Sequence, residues 1–146
     1  LIHAISASLG ARTLHGVTQA PAAVTSLAAV GRRFLVVGLE TGTIEVLSCS
    51  SGYRSLVRVD LEMGGGLPLP TCGWGGPVIC CSLDHEDDGV FAVAALDGRI
   101  ARARICSTDG GGGEATVVWR TEWASETPYP IFALSPFRLR QAGGGG

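Results

Sequence analysis

Apolar and polar positions alternate with a period of two along most of the chain, and the 3.6-residue period of an amphipathic helix is almost absent. The run Val24–Val30 reads as a short strand that stops at Gly31-Arg32-Arg33, a turn carrying two cations. Residues 34–38, Phe-Leu-Val-Val-Gly, follow as a buried β-branched strand. Glu40-Thr41-Gly42 supplies a tight turn, and residues 43–47 form a third strand with Ile44 and Val46 on one face. Ser50-Ser51-Gly52 then turns into a fourth strand over residues 53–61. Four short antiparallel strands in about forty residues make one β-propeller blade.

Residues 63–76 hold six glycines and two prolines with no period, which predicts a long inserted loop. The pattern then returns. Residues 77–83 parallel 23–29, His85-Glu86-Asp87-Asp88-Gly89 is a polar turn, and residues 90–95 match 34–39. Leu96-Asp97-Gly98-Arg99-Ile100 matches Glu40-Thr41-Gly42-Thr43-Ile44, residues 101–106 continue a third strand, and residues 116–123 form a fourth after a glycine-rich turn. Residues 129–136 resemble the opening of residues 76–82 and predict the first strand of another blade. The expected organisation is therefore the end of a blade at 1–20, a blade at 21–62, the Gly/Pro-rich loop at 63–76 and a blade at 77–127. A first strand of a further blade follows at 128–141, then a glycine tail at 142–146. The fold class is all-β, an incomplete arc of four-stranded antiparallel blades. An open arc exposes sheet edges and apolar faces, so the isolated chain is expected to associate with itself or with a partner.

One eleven-residue figure occurs twice, at residues 4–14 (Ala-Ile-Ser-Ala-Ser-Leu-Gly-Ala-Arg-Thr-Leu) and 46–56 (Val-Leu-Ser-Cys-Ser-Ser-Gly-Tyr-Arg-Ser-Leu). Its glycines, Gly10 and Gly52, stand 42 residues apart, and a period of roughly 40 to 50 residues is that of propeller blades. The figure is similar to the A-x-D-x-x-T-G-x-x-x-W turn of pyrroloquinoline-quinone-like (quinoprotein) propeller repeats. Ser48, Ser51, Gly52 and Leu56 take the positions of the family's Asp, Thr, Gly and Trp, and Ser6, Leu9, Gly10 and Leu14 do so in the earlier copy. A third copy, interrupted by glycines, keeps Ala103, Gly110 and Trp119. WD40 propellers are the second resemblance, although Trp119-Arg120 and Trp123-Ala124 stand where that family has Trp-Asp. In the quinoprotein family the Asp and Trp dock adjacent blades; Ser and Leu at those positions imply docking by aliphatic contact. The family's redox members hold quinone and calcium through funnel carboxylates and amides, and no such set is marked in this sequence.

Composition narrows the function. The 146 residues carry a net charge of −2, so a basic face for nucleic acid or an anionic membrane is not expected. No apolar run approaches the roughly 18 residues of a membrane span. All eleven basic residues are Arg, which fits a compositional bias before it fits phosphate recognition. The five cysteines, Cys49, Cys72, Cys80, Cys81 and Cys106, include no C-x-x-C pair. That disfavours a zinc site and a closed disulfide framework and points to a reducing, cytoplasmic setting.

Candidate chemistry is sparse. The run His85-Glu86-Asp87-Asp88 lacks the alternating ligand spacing of a hard-cation loop and reads as a solvated turn. Neither G-x-S-x-G nor a Cys matched to a His is present, and Ser48, Ser50 and Ser51 suit backbone capping in a turn. The glycine runs at 64–66 and 110–113 lack the Lys of a phosphate loop. Arg102 and Arg104, alternating with Ala101 and Ala103, should leave one sheet face together beside Ile100, placed to hold a carboxylate bidentately or to pair with neighbouring acids. Trp74, Trp123 and Tyr129 join them as a possible interaction surface, since aromatics and Arg are enriched at interfaces; Trp119 is assigned instead to packing between blades. The expected function is a non-catalytic propeller segment serving as an interaction or assembly scaffold. It would have no cofactor, and a protein or further blades as partner. The alternative is part of an enzyme-associated propeller, either a quinoprotein-like redox enzyme or an accessory domain of an adenylate-forming enzyme.

Overall fold

The computed structural model describes residues 2–8, 11–61, 76–83, 89–95, 98–108, 114–123, 131 and 133–135. Within them the chain is all-β. A hairpin of β1 (Ile2–Ser8) and β2 (Ala11–Thr18) forms a first, two-stranded sheet. A second sheet runs β3 (Val24–Val30), β4 (Phe34–Leu39), β5 (Thr43–Ser48) and β6 (Arg54–Asp60), each strand pairing antiparallel with the next. A third sheet repeats that order with β7 (Val78–Ser82), β8 (Val90–Ala95), β9 (Ile100–Ser107) and β10 (Ala115–Trp123). None of the three sheets closes on itself, and no helix long and apolar enough to cross a membrane occurs among the described residues. Ile131 and Ala133 to Ser135 carry no strand, and the rest of the segment expected to open a further blade lies outside the described residues, as do the loop at 63–75 and the acidic turn at 84–88.

The two four-stranded sheets share a turn hydrogen bond as well as a strand order. Gly42 donates its N–H to Leu39 O at 3.3 Å, and Gly98 donates to Ala95 O at 3.1 Å. Both glycines sit at positive φ, 81° and 86°, a conformation that costs a residue with a Cβ but not glycine. An offset of 56 residues therefore relates β4–β5 to β8–β9 (Gly98 against Gly42). The Ser-Ser-Gly figure lies at the β5–β6 turn. There Arg54 donates to Ser51 O at 3.4 Å, and Gly52 and Tyr53 both adopt φ near 60°, at 63° and 61°, the left-handed conformation that glycine takes most readily.

Alternation decides what each face meets. In the second sheet the register pairs Val36 with Ala28 and Val46, and Phe34 with Val30, so these residues share one face. Leu35, Val37, Leu39 and Leu47 share the other. In the third sheet Phe91 pairs with Ala103, and Val93 with Ala101 and Cys80. The first face of the second sheet and this face of the third sheet merge into one core that also takes in Ile44, Val78, Ile105 and Trp119. Phe91 and Trp119 meet there at 6.3 Å between ring centroids with a 58° tilt, the geometry aromatic pairs favour. The opposite face of the second sheet packs through Val37, Leu39 and Leu47 on Ile2 of β1. Each large side chain so buried contributes about 1.5–3 kcal/mol.

The two four-stranded sheets are pinned where β3 lies against β7. Thr25 and Ser26 both donate their hydroxyls to Val78 O, at 2.6 and 3.1 Å. Ser26 Oγ in turn accepts from the Cys80 N–H at 2.9 Å. Gly38 faces this junction, and a Cβ there would stand 2.5 Å from both Val78 O and Ser26 Oγ. The sheets approach this closely because Gly38 has no side chain.

Candidate functional site

Every strand of the third sheet has a second face, turned away from the shared core. Along β9 that face presents Ile100, Arg102, Arg104 and Cys106, since Ala101, Ala103 and Ile105 are buried on the other side. Register places Ala92 beside Arg102, and Val90 and Val118 on either side of Arg104. Arg102, Cys106 and Val118 are exposed, and Arg104 is half-buried. A cleft of about 420 Å³ lies beside them, its lining among the described residues being Val90, Arg102, Ala103 and Arg104.

The 56-residue offset allows this face to be compared with its counterpart in the second sheet. The second sheet has Val46 where the third has Arg102, Ser48 where it has Arg104, Phe34 where it has Val90 and Val36 where it has Ala92. In the second sheet all four are at most 2 % exposed, and Phe34, Val36 and Val46 lie in the core shared with the third sheet. In the third sheet the cross-strand neighbours shrink while the β9 positions become cationic. The β8 positions of this face stay apolar and buried, Val90 at 2 %, Ala92 at 5 % and Ala94 at 0 % exposed, so the change is confined to β9. The described residues of β8 and β9 place no carboxylate on this face; Glu114 stands one residue ahead of β10 and is exposed.

Of the five residues expected to form an interaction surface, the structure brings Arg102 and Arg104 together on one face. Trp123 pairs through its backbone with Ile100 at the far end of β10. Trp74 and Tyr129 lie outside the described residues. Trp119 is 9 % exposed within the core between the sheets. Among the described residues no three His, Cys, Asp or Glu side chains gather to hold a metal. Ser48 Oγ and Ser50 Oγ are 3.1 Å apart in their turn, and the Tyr53 N–H donates to Ser48 O at 2.9 Å; these bonds shape a hairpin. Burial pushes the Cys49 thiol up, away from the reactive thiolate.

Two polar features are not evident from the strand pattern alone. One is the Thr25-Ser26 pair at the junction, whose signal is two adjacent hydroxyls opening an otherwise apolar strand. The other is Glu45, whose side chain is 6 % exposed on the face turned toward the first sheet and accepts from Arg58 at 3.1 Å across the β5–β6 pair. A carboxylate inside Thr-Ile-Glu-Val-Leu is the signal that marks it.

Comparison with known protein families, with curated proteins and with solved structures returned no match.

Proposed function

We propose that this chain is a run of propeller-type blades and serves as a non-catalytic scaffold, joining further blades of the same protein or a protein partner. One observation carries the reading: equivalent positions on the opening strands of the two four-stranded sheets differ sharply in cover. Leu27 on β3 pairs with Val37, and Cys80 on β7 pairs with Val93, at matching places. Cys80 is 5 % exposed and Leu27 is 52 % exposed. The third sheet rests its β7 on β3, whereas the first sheet, with two strands, has no counterpart to lay over Leu27 among the described residues. Exposed apolar side chains and unpaired sheet edges both favour association. The meander order, the recurring turns and the resemblance of the Ser-Ser-Gly figure to quinoprotein-like repeats support the blade reading. Light scattering on the purified chain tests the reading: concentration-dependent association is expected, with Leu27→Thr weakening it. A monodisperse monomer that unfolds cooperatively would sink it.

A further inference from the structure

We draw no further inference here: the strongest candidate, the exposed apolar patch of Val24 and Leu27 on the edge strand β3, belongs to the association surface already described, and nothing in the structure shows what covers it.

Discussion

The second and third sheets are two renderings of one pattern, and they differ in how much of themselves they hide. The second is enclosed from both sides: along β5 all six residues are buried, including Glu45. In the third all six residues of β8 are buried too, but β9 alternates between buried alanines and the outward Arg102 and Arg104. Turn positions and strand order are alike, so the difference lies in a few side chains at corresponding places. Two sheets with the same strand order and turns thus differ most along one strand, where Val46 and Ser48 of β5 correspond to Arg102 and Arg104 of β9.

The largest test of this comparison sets Phe91 against Leu35, which occupy matching positions on β8 and β4. Phe91 is 0 % exposed in the core between the sheets, and Phe91→Ala should cost about 4 kcal/mol. Leu35, half-buried on the side toward the first sheet, should cost about 1.5 kcal/mol on truncation because less surface and less cavity are at stake. Urea denaturation measures both, and equal losses would show that the two faces are covered alike.

Next in size is the junction. Gly38→Ala forces a Cβ onto Val78 O and Ser26 Oγ, each 2.5 Å away, and should destabilise by about 3 kcal/mol through overpacking. Ser26→Ala removes the acceptor of the Cys80 N–H and one donor to Val78 O, with an expected cost of about 2 kcal/mol. The third sheet carries Ala94 where the second carries Gly38. Ala94→Gly should change stability by no more than about 1 kcal/mol, mostly through backbone freedom. Thermal unfolding of the three variants would break the comparison if Gly38→Ala proved as mild as Ala94→Gly.

The smallest effect concerns thiols and leaves stability almost untouched. Cys106 is exposed on the outward face of the third sheet and should be the first of the described cysteines to take up iodoacetamide near neutral pH. Cys49, whose thiol is held neutral by burial, should lag. Because only the thiolate attacks, that lag should narrow as pH rises into the alkaline range. Peptide mapping of the labelled protein reads both rates. Protection of Cys106 that disappears on dilution would show that copies of the chain cover the outward face.

Strands and turns were legible in the sequence because a period of two and glycine at a turn are local properties. Residues 34–38 and 43–47, with Gly42 between them, form a hairpin by their own preferences, and the structure differs from the expected ends by one residue. Which sheet lies on which face is not local. Leu27 and Val93 look equally fit for a core, yet one is 52 % exposed and the other 0 %, since cover depends on a strand pair elsewhere in the chain. Ser26 and Gly38 resemble ordinary strand residues until β7 is set against them. The arginine pair was legible as a pair, because alternation on one strand sends both side chains the same way. The burial of Val90 and Ala92 beside it was not, because cover is not a local property.

The meander order has a consequence for how the molecule forms. Every strand pairing joins neighbours in sequence, so each hairpin closes a short loop and can form within microseconds. Docking β7 on β3 is different: the bond from Ser26 to Val78 spans 52 residues, and its loop-closure entropy must be met before any contact rewards it. Refolding should thus show early strand content and a later rise in Trp119 burial, with Ser26→Ala slowing the second event more than the first. The hydroxyl that pins the finished sheets together would also time their meeting.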